Sequence, residues 1–379
     1  MPGQEARPRR LRSLAQRSKP FSGERGCLMD RCNYEIVGYR PEFREQILQL
    51  QQHLWGPDID INSAYLKWKY EENPYLDTTL IYLALCKEKV IGMRGFYGAK
   101  WEVGDSRQTA FVLCAGDLVI EPEHRKRGLF PRIMATALTD LAARGYAYVF
   151  NLSAGTVTKS GSLLQGWRAV GSLKPMDWNH TGRVPYAEKA RPFDELERNG
   201  RGKKSNVTVG QAPRPELMAE LVERIRYQGR IRHVRDPEYF AWRFRNPLSS
   251  YRFLFWGESR LEGYLVLQTR IYSDKLWVNV VDWEFVDDRV GAELLRAAVD
   301  WGGFDKITIW SATLSESAKA TLQSNRFNLW NEVKYSASLP TVLVKRLQDQ
   351  IENAEWTLND MRLLDIGSWD LRMVYSDGY

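Results

Sequence analysis

The chain has few cysteines, and they are not spaced as metal ligands. Its four cysteines are Cys27, Cys32, Cys86 and Cys114, and no second Cys or His pair follows the first two. Cys86 and Cys114 lie in apolar, strand-like stretches, where cysteine packs as a small hydrophobic side chain. The cysteines therefore predict no metal site, and they predict reduced thiols, as in the cytoplasm.

Long apolar runs are also missing. No stretch approaches about 18 consecutive apolar residues, so the sequence predicts no membrane-spanning helix. The first residues lack the apolar segment of a secretory signal, which again favours the cytoplasm. A hydrophobic content of 44% in 379 residues is typical of a globular protein with two domains.

The net charge of +7 is concentrated at the beginning of the chain. Residues 1–28 contain seven basic and two acidic side chains, so this tail carries +5 of the total. The composition predicts a disordered basic tail and a nearly neutral folded body, for which nucleic-acid binding is not expected. Met29, just before the first predicted strand, is an alternative start of translation that the sequence leaves open.

The spacing of apolar residues predicts an α/β fold in which an antiparallel meander precedes a β-α-β unit. A stretch rich in proline, glycine and charge at residues 182–212 predicts a linker. The predicted elements before the linker are strand 34–39, helices 41–54 and 63–70, strands 80–86, 90–101 and 111–120, helix 129–144, strand 146–152, helix 158–164 and strand 169–178.

The turn at residues 121–130 carries the strongest functional signal. It reads Glu-Pro-Glu-His-Arg-Lys-Arg-Gly-Leu-Phe and connects a predicted strand to a predicted helix. The free N–H groups and the dipole at a helix start favour an anion, to which Arg125, Lys126 and Arg127 add positive charge. Gly128 would let a phosphate approach the backbone. The turn has neither the G-x-x-x-x-G-K-[ST] nor the G-x-G-x-x-G pattern, so it is not a P-loop or a Rossmann fingerprint.

This turn resembles the acyl-CoA loop of the GNAT superfamily of N-acetyltransferases, whose pattern is [Q/R]-x-x-G-x-[G/A]. Here the pattern runs from Arg125 to Phe130, and Phe130 replaces a small residue. The resemblance implies a GNAT domain over residues 29–181, with a mixed central sheet flanked by helices. It also implies acetyl-CoA as co-substrate and no metal.

The same resemblance implies which residues bind the acyl-CoA. Backbone groups of the central strand would hold the pantetheine and polarise the acyl carbonyl, the turn would bind the pyrophosphate, and the end of the next strand would contact the pantetheine or the acceptor. The residues implied are Leu118, Val119, Ile120, Arg125, Lys126, Arg127, Gly128, Leu129, Phe130 and Asn151.

A second, degenerate copy of the unit is predicted at residues 213–379. The segment Tyr65–Pro74 is echoed by Tyr239–Pro247, and Asp117 is echoed by Asp282. Where the first copy has its basic turn, the second reads Val-Asp-Asp-Arg-Val-Gly at 286–291, and two carboxylates would repel a pyrophosphate. The first copy should therefore bind the co-substrate.

The catalytic groups are less well marked than the donor site. GNAT enzymes often carry a tyrosine four residues before the glycine of a Gly-[Phe/Trp] pair. Here the pair is Gly166-Trp167 and the position holds Ser162, which becomes the candidate proton donor. Asp117 is the best-placed carboxylate for a general base, although its echo Asp282 also favours a structural role.

The sequence thus predicts an N-acetyltransferase that acts on the amine of a small molecule. An amino sugar of surface polysaccharide synthesis is the acceptor we expect. Two alternatives stay open: an aminoacyl transferase of the Fem type, also built from paired GNAT-like units, and a non-catalytic acyl-CoA-binding or scaffold protein. The intact basic turn argues against the first, and the missing tyrosine favours the second.

Overall fold

Two mixed β-sheets with helices on their faces make up the fold, seen in a computed structural model. The described residues from Tyr34 onward form one compact unit. The predicted tail at 1–28 and most of the predicted linker at 182–212 lie outside the described residues. The structure describes residues 32–180, 207–225, 228–272, 275–301, 304–331, 339–348 and 355–376.

The first half of the chain follows the predicted order of elements closely. Its strands are β1 (Tyr34–Gly38), β2 (Leu80–Cys86), β3 (Lys89–Val103), β4 (Gln108–Ile120), β5 (Tyr148–Ala154), β6 (Arg168–Ser172) and β7 (Pro175–Asn179). Its helices are α1 (Arg44–Trp55), α2 (Ile59–Leu66), which continues as a π-helical turn (Lys67–Glu71), α3 (Leu129–Ala143) and α4 (Thr156–Leu163).

The second half repeats this order with shorter connections. Its strands are β8 (Val207–Gly210), β9 (Arg232–His233), β10 (Ser250–Trp256), β11 (Gly263–Tyr272), β12 (Lys275–Phe285), β13 (Lys306–Trp310), β14 (Asn328–Leu329), β15 (Thr341–Arg346), β16 (Thr357–Leu358) and β17 (Met361–Arg362). Its described helices are α5 (Pro215–Arg224), α6 (Pro237–Arg243), α7 (Asp288–Trp301) and α8 (Glu316–Ser324).

The two sheets exchange strands between the halves. The first sheet has the order β1-β2-β3-β4-β5-β15-β6, and the second has the order β14-β7-β13-β12-β11-β10-β8. Thus β15, from the end of the chain, completes the first sheet, and β7, from the first half, completes the second. The predicted boundaries at 181 and 213 divide the chain by sequence, whereas each sheet contains a strand from the other side of that division.

The prediction of a single strand at 169–178 is wrong, because this segment contains two strands that belong to different sheets. The chain leaves the first sheet after Ser172 and enters the second at Pro175. Between them Lys174 has a φ of 44°, a left-handed conformation that turns the backbone. Alternation of apolar residues cannot reveal that two consecutive strands belong to different sheets.

Equivalent tryptophans of the two halves meet in the core. The rings of Trp68 and Trp242 stack with centroids 5.3 Å apart. The Trp68 indole donates to the carbonyl of Trp242 at 2.9 Å, and the Trp242 indole donates to the carbonyl of Trp68 at 3.0 Å. This reciprocal contact is what two copies related by a pseudo-two-fold axis would make. Both rings are buried, so they form part of the core.

The described cysteines depart in part from the expectation of reduced thiols. Cys114 is buried in β4 with a free thiol, as a small hydrophobic side chain. Cys86, at the end of β2, and Cys32 are instead disulfide-bonded. The expectation is therefore wrong for these two cysteines, because neither their spacing nor an apolar strand pattern reports the oxidation state of a thiol.

A buried histidine lies between the halves, on β9. His233 stacks on Tyr375 with ring centroids 4.0 Å apart, and it packs edge-on against Trp101. Burial lowers the pKa of His233 well below its usual 6.5, and the nearby cations Arg243 and Arg235 lower it further. His233 is therefore held in its neutral form.

This burial predicts an acid-sensitive stability. Below the ordinary pKa of 6.5 the unfolded chain binds a proton that folded His233 does not, so the free energy of unfolding should fall as pH drops. The loss should approach about 1.4 kcal/mol per pH unit once the pH is about one unit below that value. Urea denaturation at pH of about 7.5 and about 5.5 measures it. His233→Phe should remove this part of the dependence, and an unchanged dependence would contradict the assignment.

Candidate active site

A cleft opens where β4 and β5 separate. The two strands pair in parallel at Leu113 with Val149 and at Cys114 with Phe150, and they diverge beyond these residues. The space between them is about 190 Å³, lined by the end of α1, residues 115–118 of β4, the end of β5 and the start of α4. This edge, at the carboxyl ends of the parallel strands, is where the sequence placed the candidate site.

A bulge separates the upper part of β4 from the rest of the strand. Gly95 of β3 pairs with Gly116, and Arg94 pairs with Leu118, so Asp117 is an extra residue in the ladder. Its φ of 41° lies in the left-handed region. The second half has a bulge at the matching place, where Val281 is the extra residue beside Asp282.

Beyond the bulge, backbone groups of β4 face the cleft. The N–H of Glu121 donates to the carbonyl of Ile91 at 2.8 Å, so the backbone N–H of Glu121 points toward β3. The backbone N–H groups of a strand point alternately to its two sides. Alternation then places the N–H of Val119 on the β3 side and those of Leu118 and Ile120 on the cleft side. Of the three strand residues that the resemblance implied, two therefore present N–H groups to the cleft.

The basic turn ends in an open helix start. Gly128 has a φ of 70°, and a Cβ added there would meet no atom within 4 Å, so the space in front of α3 is free of steric obstruction. Glycine has no side chain to cap the helix, so the first N–H groups of α3, from Leu129 onward, are left for an anion.

The cations of the turn point in different directions. The Arg125 side chain donates to the carbonyl of Ile120 at 3.0 Å and so tightens the turn at the end of β4. Arg127 donates to the Tyr34 hydroxyl at 3.1 Å, on the β1 side, away from the cleft. Lys126 is exposed, with a φ of 60°. The three side chains make the turn positive, but they do not converge on one point.

Phe130 contacts a glycine of α4. A Cβ added to Gly161 would lie 2.6 Å from Cε1 of Phe130, so the ring packs directly against the bare helix backbone. The aromatic ring therefore crosses from the first turn of α3 to α4. This contact explains how the chain accommodates a large side chain at a position where the family pattern has a small one.

Asp117 is held in a buried polar cluster. Its carboxylate lies 3.1 Å from the ammonium of Lys69, and both side chains are almost fully buried. The hydroxyl of Tyr70 donates to the other carboxylate oxygen at 2.8 Å, and the Tyr65 hydroxyl lies 3.3 Å from the first. Glycine is needed beside the cluster, because a Cβ on Gly116 would lie 2.5 Å from the Lys69 ammonium. These contacts fix the bulge in β4.

The second half contains a similar cluster with different partners. Asp282 pairs with Arg235 at 3.1 Å and accepts a hydrogen bond from Tyr264 at 2.9 Å. Burial raises the pKa of Asp282, while the charge of Arg235 opposes the increase. Because an aspartate with a paired cation occurs in both halves, the arrangement supports a structural role for Asp117.

The other two candidate side chains have different surroundings. Asn151 lies at the end of β5 and lines the cleft, where it can contact a bound molecule. Ser162 is 1% exposed, and its backbone carbonyl accepts hydrogen bonds from Gln165 and Trp167. It lies in the last turn of α4 and is not part of the described cleft lining.

Two buried cations near the cleft were missed by sequence reasoning. Lys69 occurs in an aromatic segment that looks like helix core, and Arg94 interrupts the apolar run of β3. A single charge inside an otherwise buried pattern is the signal that could have found both. Long cationic side chains are common at protein surfaces, however, so the sequence alone does not distinguish a buried one.

The matching cleft of the second half is partly filled by the chain itself. The Thr313 hydroxyl donates to the carbonyl of Leu371 at 3.2 Å and accepts from its N–H at 3.0 Å. Residues 371–373 thereby lie against β12 and β13, and a space of about 150 Å³ remains beside residues 283–285 of β12 and the start of α8. At the start of α7, Asp287 accepts from the N–H of Val290 at 2.9 Å. A carboxylate thus occupies the helix start that an anion would need.

Neither a metal site nor a membrane span occurs among the described residues. They contain no group of three or more His, Cys, Asp or Glu side chains arranged to hold a metal ion. Within the same residues, each helix is too short or too polar to cross a membrane.

Known proteins share this fold. The acetyltransferase (GNAT) domain family matches residues 39–157. The structure is similar to a GCN5-related N-acetyltransferase from Anabaena variabilis, with a TM-score of 0.57 and 13% identity over 83% of this chain and 73% of that one. A probable N-acyltransferase of unknown function from Enterococcus faecalis gives a TM-score of 0.56 and 12% identity over the same shares. These identities show the common fold alone. No curated protein matches the sequence.

Proposed function

We propose that the chain transfers an acetyl group from acetyl-CoA to the amine of a small molecule, because the acetyltransferase (GNAT) domain family matches residues 39–157 and the fold is similar to that of a GCN5-related N-acetyltransferase. The observation that carries the proposal is that the first half contains all the backbone features that an acyl-CoA would need. An uncapped helix start at Leu129, an open glycine at Gly128 and two strand N–H groups at the split are all present, while in the second half the carboxylate of Asp287 occupies the matching helix start.

The backbone supplies most of the chemistry in this proposal. The N–H groups of Leu118 and Ile120 would hold the pantetheine and polarise the acyl carbonyl, and those at the start of α3 would bind the pyrophosphate. Acetyl-CoA supplies the activated acyl group as a thioester. Asn151 lies at the opposite wall of the cleft, where its amide can orient the pantetheine or the acceptor.

Side-chain acid–base groups have a smaller part. The carboxylate of Asp117 already accepts from Tyr70 and lies beside Lys69, so we propose that it positions the bulge and does not abstract a proton. Burial of Ser162 separates it from the cleft, and we assign it no role in proton transfer. The acceptor amine would then enter as the neutral species.

The acceptor side of the cleft is aromatic. Leu54 and Trp55 at the end of α1 line it, and the Trp55 ring packs edge-on against Tyr65. An apolar ring at the rim of a small polar cleft suits a sugar, which supports an amino sugar as the proposed acceptor. The cytoplasm stays the proposed compartment, although the bonded Cys86 weighs against the reduced-thiol argument for it.

Calorimetric titration of acetyl-CoA tests the donor site. Wild-type protein should bind acetyl-CoA, and Arg125→Glu should weaken binding by roughly tenfold or more, because it reverses a charge beside the helix start and removes the hydrogen bond to Ile120. Arg168→Glu, on an exposed position of β6, is the matched control and should bind normally.

Turnover on a panel of amines then distinguishes acetyl transfer from a non-catalytic role. Acetyl transfer to any amine supports the proposal. Tight binding without transfer would select the non-catalytic acyl-CoA-binding or scaffold role, for which the Phe130 ring across to Gly161 is the favouring observation. Absence of binding in the wild type would contradict the donor site and favour a Fem-type aminoacyl transferase.

A further inference from the structure

A phenylalanine ring connects the two helices that border the cleft. Phe130 lies in the first turn of α3, and a Cβ added to Gly161 of α4 would lie 2.6 Å from Cε1 and 3.0 Å from Cδ1 of its ring. Cβ atoms do not approach other atoms as closely as 2.6 Å. The ring therefore occupies the space that a side chain at position 161 would need, and this contact requires glycine there.

The contact lies on the side of α4 that borders the cleft. Thr158 lines the cleft, and Gly161 follows it by three residues, so the two residues share one face of the helix. Lys159 lies on a different face, because its ammonium donates to the Thr341 hydroxyl of β15 at 3.2 Å. The Phe130 ring therefore crosses from α3 to the edge of the cleft.

The proposed path of an acyl-CoA passes the same place. In the proposed function the diphosphate binds at the start of α3 and the thioester lies at the split beside Leu118, so the pantetheine arm must connect these two points. The start of α4 borders that path through Thr158. A ring that spans from α3 to α4 obstructs the path, whereas the small residue of the family pattern at the position of Phe130 would leave it open.

We propose that Phe130 is a gate for the donor, whose ring lies on Gly161 and turns away before the arm of an acyl-CoA enters the cleft. The inference rests on the proposed function, because it concerns the donor of the same site. Long side chains in a helix mostly adopt two χ1 rotamers, so a second position is available to the ring. Van der Waals contact with the bare backbone of Gly161 stabilises the closed position and is lost when the ring turns.

The gate should lower the apparent affinity for the donor. A ligand that binds one conformer alone binds more weakly in proportion to the population of that conformer. With the open conformer at about a tenth of the molecules, Phe130→Ala should bind acetyl-CoA roughly tenfold more tightly than the wild type in calorimetric titrations. The gain should be in the association rate, measured by stopped-flow fluorescence with etheno-CoA, because the ring obstructs entry.

Gly161→Ala opens the gate from the other side. Its methyl group would displace the ring, so this variant should also gain affinity, and Phe130→Ala/Gly161→Ala should gain no more than Phe130→Ala alone. Gly291→Ala is the matched control, because a Cβ there would lie 2.8 Å from the ring of Phe285 in the second half. It disturbs the same kind of contact away from the cleft and should bind acetyl-CoA as the wild type does.

The outcomes separate the gate from the proposed function. Equal or weaker binding by both single variants would overturn the gate, while binding by the wild type would still support the proposed function. Failure of the wild type and of both variants to bind acetyl-CoA would overturn the proposed function and the gate with it. If Phe130→Ala does not fold, Gly161→Ala decides, because alanine is favoured within a helix and Phe130 stays in place.

Discussion

Replacing Lys69 with methionine is expected to lower the free energy of unfolding by about 3–5 kcal/mol. The side chains of Lys69 and Asp117 are only 2% and 1% exposed, and removing one partner of such a pair leaves the other charge buried without it. Methionine has a similar length, so the effect should come from the charge and not from a cavity. Urea denaturation of Lys69→Met against wild type measures the loss.

The double variant Lys69→Met/Asp117→Asn is the control for this prediction. With both charges removed, much of the lost stability should return, which gives a large coupling energy in a double-mutant cycle. A single variant that loses less than about 1 kcal/mol would show that the pair is not important for stability. If Asp117→Asn instead folds normally and loses turnover alone, Asp117 acts as a base.

A charge placed in β15 is expected to damage the donor half, although β15 belongs by sequence to the second half. Val342 is fully buried and pairs with Gly171 of β6. An aspartate there would cost several kcal/mol, because an isolated carboxylate is strongly disfavoured in an apolar interior. Val342→Asp should therefore abolish acetyl-CoA binding together with the cooperative unfolding transition, measured by calorimetric titration and by circular dichroism.

Lys345, on the same strand, provides the comparison. It is half-buried, and Lys345→Gln should change stability by less than about 0.5 kcal/mol. Normal acetyl-CoA binding by Val342→Asp would mean that the first sheet tolerates loss of its inserted strand. The exchange of strands would then have no consequence for the donor site.

The two halves share a β-bulge and a buried aspartate pair, but they differ at the split between their parallel strands. Both contain a bulge and a buried aspartate with a cationic partner. In the first half the split between the parallel strands is open, and in the second half residues 371–373 fill part of it. The second half contributes β15 to the first sheet and a stacked tryptophan to the core.

The sequence by itself determined the fold class and predicted where the proposed donor site lies. Strand, basic turn and helix follow one another without interruption at 111–144, and Gly128 marks the helix start, so local periodicity and one glycine were sufficient. The sequence also predicted that the acidic turn at Asp287 would not bind an anion, because a carboxylate at a helix start takes the N–H groups that an anion would need.

Tertiary structure alone decided which side chains reach the cleft. Ser162 lies in a short helix and Arg94 in an apolar strand, yet the first is buried and is not part of the cleft lining, whereas the second lines the cleft. The partner of Asp117, the exchange of β7 and β15, and the partial filling of the second split all join residues far apart in the chain. Local patterns report which face of an element is apolar, but burial and charge pairing depend on what the rest of the chain places against it.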